Sequence, residues 1–430
     1  MAGSGDAVPE SSREKRKREA RLAFEERAAR EALEARVRSA LSRSHSVRTQ
    51  EDEQLLRDHA FVASALEARD ARRRDRKTEK EARAEEREDP GERTSSNVQA
   101  LARMIRDAKS FVLHTGAGFS TAACIPDFRG SSGVWTMRAK GLAVPMPRFE
   151  RCAPTKAHMC AVALYRAGYL SHVVTQNVDG LHGRAGMPRD ACSELHGTVF
   201  REKCTNEACL VTEIARDFDV TSKKPHNGRH RHVTGRLCPG CGGDLRDVVV
   251  QFGERIDDDV LAKATEVSRA SPLSLVMGTS LKIPPANRLP RLSKTLVIVN
   301  LQWTAEDKHS KLKLNARCDD VLEALCGALG VTVCSYDPGA DAIGARVLAA
   351  GETFVKDESG HRRRCDVKAE EATTFNAGEG EGDDARSVRF GVGGEGESKK
   401  HEKFAPLSKR ARRMKNPSVP IPTNPATDRA

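Results

Sequence analysis

What this chain has least of is aromatic side chain. Aromatics make up 4% of its 430 residues, with two Trp and three Tyr, against 31% Asp, Glu, Lys and Arg. That balance excludes one uniformly packed globule, since a domain ordinarily takes roughly 100–200 residues. No apolar run reaches the length of about 18 residues that a membrane-spanning helix needs. Met1 to Asp6 lead into charge and not into an apolar stretch, so no secretory signal is expected. The twelve cysteines are spread through a long chain, which argues against a disulfide framework. Reduced thiols in cytosol or nucleus are expected, some of them metal ligands.

Charge is distributed unevenly. Of 72 Lys and Arg and 61 Asp and Glu, residues 1–97 hold 23 and 22, and residues 336–430 hold 17 and 16. Both flanks are thus almost neutral, leaving 32 basic against 23 acidic residues, a net +9, in residues 98–335. Three divisions follow: a charged helical arm over 1–97, a core over 98–335 and a disordered tail over 336–430. In the arm Leu33, Val37 and Leu41 recur every four residues, and Leu55, Phe61, Val62 and Leu66 form a second apolar stripe. Solvated helices with little core of their own are expected there, ended by Asp89-Pro90-Gly91. The basic clusters Arg13–Arg18 and Arg72–Lys77 suit nucleic-acid phosphates, although the acids between them limit counterion release. In the tail, Gly378–Gly396 is rich in Gly and Glu, and Pro417, Pro420, Pro422 and Pro425 follow. Neither stretch supports a packed fold. The basic block Lys409–Lys415 between them fits nuclear import or contact with nucleic acid.

From Leu101 the texture changes. Phe111–His114, Val173–Thr175, Ser274–Met277 and Leu296–Val299 are short apolar runs, with helix-like stretches at Lys156–Arg166, Asp258–Arg269 and Val321–Leu329. Such alternation predicts an α/β fold with a parallel sheet. A polar motif follows each run, at the strand end where open α/β sheets bind ligands. Gly116-Ala117-Gly118 with Phe119-Ser120-Thr121 reads as a phosphate loop, the glycines admitting a pyrophosphate to the backbone. As a dinucleotide fingerprint it is incomplete: Thr121 stands where a third glycine belongs, and a structural turn is the competing reading.

Cys204 and Cys209 form C-x4-C, and Cys238 and Cys241 form C-x2-C after a 28-residue gap. Two such pairs fit a four-thiolate zinc site, closed to water and therefore structural. His226, His230 and His232 in the insert are read as solvent-facing, and the other eight cysteines as small apolar residues. A general base working near neutral pH is best supplied by imidazole, and His182 and His196 are the candidates, although a lone histidine is usually structural. Spacing alone does not choose between them.

Taken together, these motifs resemble a known family. Thr115-Gly116-Ala117-Gly118, Ile125-Pro126-Asp127-Phe128-Arg129-Gly130, Gln176-Asn177-Val178-Asp179, Leu195-His196-Gly197, the cysteine pairs and Phe252-Gly253-Glu254 follow in the order found in sirtuins. Sirtuins are NAD-dependent protein-lysine deacylases, and the resemblance covers residues 98–335. Trp135, Gly278-Thr279-Ser280, Asn300-Leu301-Gln302-Trp303 and Cys318-Asp319-Asp320-Val321 resemble the class IV, chromatin-associated branch.

The resemblance implies a Rossmann-like NAD-binding lobe and a small zinc-binding module at about 198–248. It implies that Gly116, Ala117 and Gly118 hold the NAD pyrophosphate, with Ser120, Thr121 and Trp135 as further cofactor contacts. Ile125, Pro126, Asp127, Phe128 and Arg129 would form a mobile loop over the cofactor, with Asp127 near the nicotinamide amide. Gln176, Asn177 and Asp179 would line the nicotinamide-ribose pocket, and Gly278, Thr279, Ser280, Asn300, Leu301, Gln302 and Cys318 the adenosine half. Phe252, Gly253 and Glu254 would line an acyl-lysine tunnel, the peptide docking as an added strand. His196 would be the general base on a ribose hydroxyl, His182 a structural residue, and O-acyl-ADP-ribose and nicotinamide the products. Histones in the nucleus or nucleolus are the implied substrates, with chromatin or nucleic acid as a partner through basic core and tail. Mono-ADP-ribosyl transfer and a chromatin-binding module with weak catalysis are the alternatives. Three departures stand out: the first cysteine pair is wider than in near relatives, Gln251 precedes Phe252 where many sirtuins have Trp or His, and near relatives have a few more residues after the Phe-Gly-Glu loop.

Overall fold

The computed structural model describes residues 12–211, 213–222 and 232–355, and the backbone of Thr373–Thr374. Among the described residues no helix is long and apolar enough to cross a membrane. The expectations for Gly378–Gly396, Lys409–Lys415, His226 and His230 lie outside them.

Three helices form the arm: α1 (Ser12–Ser42), α2 (Gln50–Asp58) and α3 (Ala60–Ala84). A capping box starts α2: the Thr49 hydroxyl accepts from the Asp52 N–H, and the Asp52 carboxylate accepts from the Thr49 N–H. Val37, Ala63 and Leu66 pack with Leu33, Leu41, Leu55, Leu56 and Val62 in a small cluster of their own. Phe61 does not join the apolar stripe expected of it and is 88% exposed. The buried face of α3 runs through Val62, Ala63 and Leu66, and a residue just before it points outward.

Helix α4 (Gly91–Ala108) already belongs to the core, burying Val98, Leu101, Ala102 and Ile105, so the core begins before residue 98. The chain then alternates through β1 (Phe111–Thr115), α5 (Val134–Ala139), β2 (Pro145–Met146), α6 (Lys156–Arg166), β3 (Leu170–Thr175), α7 (Leu181–Arg184) and β4 (Cys192–Glu194). A cysteine-bearing insert follows, made of β5 (Arg201–Cys204), β6 (Ile214–Ala215), β7 (Val233–Leu237) and β8 (Asp244–Asp247), antiparallel in the order β6-β5-β8-β7. The α/β pattern resumes with α8 (Asp258–Ala270), β9 (Leu273–Met277), β10 (Thr295–Val299), β11 (Leu312–Leu314), α9 (Cys318–Leu329) and α10 (Ala342–Ala349).

Six of these strands make the expected parallel sheet, in the order β11-β10-β9-β1-β3-β4. Phe111 and Leu113 of β1 face Leu101, Ile105, Leu164 and Leu325 from α4, α6 and α9. Val112 faces the other way, onto Ala264 of α8 and Leu289. With helices on both faces the central strands β1 and β9 are buried at every position, hence apolar runs instead of alternation. The chain leaves β1 toward β3 on one side and reaches β9 on the other. The crevice at that reversal is the place for a ligand.

Folding continues past residue 335, where the tail was expected to start. Ile343 and Val347 of α10 are buried, Ile343 against Ile125, Phe149 and Phe200. The Asp341 carboxylate receives the Arg184 Nε–H at 2.8 Å, with both side chains almost fully buried. An apolar helix anchored by a buried ion pair does not have the character of a solvated tail.

Candidate active site

Four strand ends, those of β1, β3, β9 and β10, deliver loops into one crevice. Gly116 and Gly118 after β1 lie against Gly278 after β9, where the Gly118 N–H donates to the Gly278 carbonyl at 2.8 Å. A Cβ on Gly278 would stand 2.3 Å from the Phe119 nitrogen, and its φ of +62° adds strain for any other residue. After β3, the Asn177 Nδ2 donates to the Gly116 carbonyl at 3.0 Å and to Ser120 Oγ at 3.1 Å. The Gln176 Nε2 donates to Thr279 Oγ1 at 3.1 Å, tying the β3 and β9 loops together.

These loops surround a cavity of about 480 Å³. Its wall contains Gly116, Ala117, Gly118, Ile125, Pro126, Asp127, Phe128, Arg129, Trp135, Gln176, Asn177, Asp179, His196, Phe252, Gly253, Glu254, Gly278, Thr279, Ser280, Asn300 and Gln302. A neighbouring cavity of about 820 Å³ shares Gly118, Ile125–Asp127, Gly278, Asn300 and Gln302, and adds Thr121, Leu301 and Cys318. One anticipated contact residue lies elsewhere. Ser120 is fully buried, its hydroxyl turned inward onto Asn177 and Asp179, so it holds those two side chains and does not face the cavity.

The two histidines that spacing could not separate are distinguished by their surroundings. The His196 Nδ1–H donates to the Gln176 carbonyl at 2.9 Å, which fixes the tautomer and leaves Nε2 as an acceptor. Burial lowers its pKa, so the neutral, basic form holds at neutral pH. His182 sits beneath the phosphate loop, bonded to Thr115 Oγ1 at 3.0 Å and stacked on Phe119, and burial takes its pKa to about 3. It lines neither cavity.

Above the crevice, Asp127 accepts the Gly130 N–H at 2.9 Å, and burial raises its pKa. The Arg129 guanidinium lies 4.2 Å over Trp135, whose ring is 5.2 Å from Phe128 and 6.0 Å from Phe252. A strap from the arm, missed in the sequence, runs along this loop. The Glu86 carboxylate receives the Ser131 N–H at 2.8 Å, the Arg87 N–H donates to the Leu301 carbonyl, and Gln302 Nε2 donates to the carbonyls of Ala84 and Arg129. Only a charged sequence before Pro90 marked the strap, with nothing to name its partners.

In the insert, Cys204 Sγ is 3.5 Å from Cys241 Sγ, Cys209 Sγ is 3.6 Å from Cys238 Sγ, and all four lie within 4.8 Å of one another. A tetrahedral zinc with bonds of about 2.3 Å requires sulfurs about 3.8 Å apart, so the four residues fit the ion. The Gly243 N–H helps draw the Cys241 thiol down to about 7, toward the ligating thiolate. Of the remaining described cysteines, Cys152, Cys160, Cys192 and Cys326 are buried as expected, Cys318 is partly buried and Cys334 is exposed. His232 is also corrected: it is mostly buried, held by Asp247 and Glu254 and not turned to solvent. Strand β7 starts at the next residue and carries the ring inward.

A family model described as the Sir2 family matches residues 140–285. NAD-dependent protein deacetylase sirtuin-7 of Bos taurus is 40% identical over 344 residues, which is 75% of this chain and 81% of that protein. The Homo sapiens protein of the same name gives the same identity and coverage. NAD-dependent protein deacetylase Sirt6 of Drosophila melanogaster is 34% identical over 265 residues, 59% of this chain and 81% of that one.

Proposed function

The chain belongs to the sirtuin family and is an NAD-dependent protein deacylase, and from that premise we propose that it removes acyl groups from histone lysines in the nucleus, with His196 as the general base. When bound, NAD would supply an electrophilic anomeric carbon for the acyl oxygen to attack, with nicotinamide as the leaving group. The chain's own residues prepare for that exchange. Gly116, Ala117 and Gly118 would admit the pyrophosphate close to their backbone, since the two glycines carry no side chain to block its approach. Asn177 and Asp179, held from behind by Ser120, face the nicotinamide-ribose end. Asp127 caps it, and the Phe128–Trp135–Phe252 rings exclude water.

The observation that carries the reading is the His196–Gln176 hydrogen bond. A carbonyl can only accept, so the ring's other nitrogen holds a lone pair at the cavity and is free to take a proton from a ribose hydroxyl. Phe252, Gly253 and Glu254 would flank the acyl-lysine, and Cys204, Cys209, Cys238 and Cys241 would hold zinc away from the chemistry. The arm's exposed Arg13–Arg18 and Arg72–Lys77 clusters and the net +9 core favour chromatin as partner, which predicts nucleosome binding that weakens steeply with salt.

The test is incubation of wild type and H196A with NAD and acetylated histone peptides, followed by mass spectrometry. O-acyl-ADP-ribose from wild type and none from H196A supports the proposal. ADP-ribose attached to protein points to mono-ADP-ribosyl transfer, and turnover by H196A refutes the role of His196.

A further inference from the structure

His232 contributes to neither the cavity nor the metal cluster, yet its ring is gripped on both sides. Nδ1–H donates to Asp247 Oδ1 at 3.0 Å and Nε2–H to Glu254 Oε1 at 2.8 Å. Two carboxylate acceptors require two N–H donors, so the bound form is the imidazolium; the Asp247 hydrogen bond is the largest cause raising its pKa. Each carboxylate in turn organises backbone. Glu254 Oε2 accepts the Gln251 N–H at 2.8 Å while the Glu254 N–H donates to the Gln251 carbonyl at 3.0 Å. One side chain thus closes the Gln251–Glu254 turn, within which Gly253 takes a φ of +91°. Asp247 Oδ1 accepts the Val249 N–H at 3.0 Å. Between these anchors Val249, Val250, Gln251 and Phe252 line the cavity, and the Val250 N–H donates to the His196 carbonyl at 3.0 Å.

We propose that His232 is a positioning residue for acyl-lysine recognition: by locking Asp247 and Glu254 it holds the segment between them, and the Phe252 ring, in the geometry that receives the acylated side chain. The inference rests on the reading that Phe252, Gly253 and Glu254 line the acyl-lysine tunnel, and it adds what keeps that wall in place. A wall ordered beforehand spares the peptide the entropy of ordering it on binding. The effect of losing His232 therefore falls on the peptide and spares NAD, whose loops lie across the crevice.

The experiment is steady-state nicotinamide release by the full chain, varying an acetyl-lysine peptide at saturating NAD and then NAD at saturating peptide. H232A is expected to raise the peptide KM about tenfold, the consequence of losing a charge-assisted hydrogen bond, while kcat and the KM for NAD stay within about twofold. H232Q, which keeps a donor toward Glu254, is expected to fall between H232A and wild type. The H232A/E254Q double variant is expected to be no worse than H232A, because both changes break one linkage. An unchanged peptide KM in H232A, an equal rise in both KM values, or additive losses in the double variant overturns the proposal. If melting temperature and zinc content show that H232A fails to fold, H232Q alone carries the comparison. F252A separates the two levels. An unchanged peptide KM there refutes the tunnel reading, whereas a raised one beside a silent H232A refutes only the lock.

Discussion

Replacing Asp341 should destabilise the whole catalytic core although the residue lies beyond the charge-defined boundary at 335. The Arg184 and Asp341 side chains are 3% and 9% exposed, with Nε and Oδ2 2.8 Å apart. The Tyr336 hydroxyl donates to the same oxygen at 2.6 Å. Breaking a buried pair by removing one partner costs about 3–5 kcal/mol. Arg184 keeps the carbonyls of Phe149 at 3.0 Å, Cys152 at 2.6 Å and Glu150 at 3.3 Å as acceptors. That places D341N near the lower end, about 3 kcal/mol. Asp341 also caps α10 by accepting the Ile343 and Gly344 N–H groups. D341A removes the cap as well, for about 1 kcal/mol more. At about 2–4 °C per kcal/mol for a core of this size, D341N should lower Tm by roughly 6–12 °C and D341A by a few degrees more. Scanning calorimetry of the full chain measures both. R184M/D341N should recover part of the loss, because no unpaired charge stays buried. A D341N protein melting within about 2 °C of wild type would show that residues 336–355 stand outside the cooperative unit.

Four further outcomes are expected. G278A should abolish measurable NAD binding by calorimetry while a stable fold is retained, since its Cβ would meet the Phe119 nitrogen at 2.3 Å; normal affinity would refute the close approach of the two loops. The acid limb of kcat/KM should lie below the ordinary histidine value of about 6.5, because burial disfavours the His196 imidazolium; a limb above that value contradicts His196 as the base. Burial also holds His114 and His182 to about 3 and His172 to about 4. These depressed values stabilise the fold above the unfolded pKa of about 6.5 and cease to do so as pH falls through the folded values, so the urea midpoint should drop steadily below pH 6.5. Finally, C209S should lose stoichiometric zinc by metal analysis and melt earlier; full metal content in that variant would dismiss the four-thiolate site.

What could be read from the sequence was what chemistry confines to a few residue types. Glycines at 116, 118 and 278 mark backbone that approaches backbone, and paired cysteines mark a metal knuckle, so both were visible in one dimension. The apolar runs became parallel strands because burial on both faces removes alternation. His182 and His196 were indistinguishable because the groups that separate them, Thr115 and the Gln176 carbonyl, come from other strands. Ser120 misled because a loop pattern gives the position of a hydroxyl and not its direction. His232 looked like one of three solvated histidines, its partners 15 and 22 residues further on. The Arg184–Asp341 pair spans 157 residues. Local charge counting sees such an anchor only as two more ionised side chains.

The strap that leads from α3 along the crevice ties the helical arm to the loops that wall it. It touches the roof at Ser131 and the far wall at Leu301 and Gln302, so the docked arm and the closed roof share hydrogen bonds. With the dinucleotide held as proposed, a macromolecule that grips the arm and shifts this strap would change the grip on it by some factor. Reciprocity then requires the dinucleotide to change the hold on that macromolecule by the same factor.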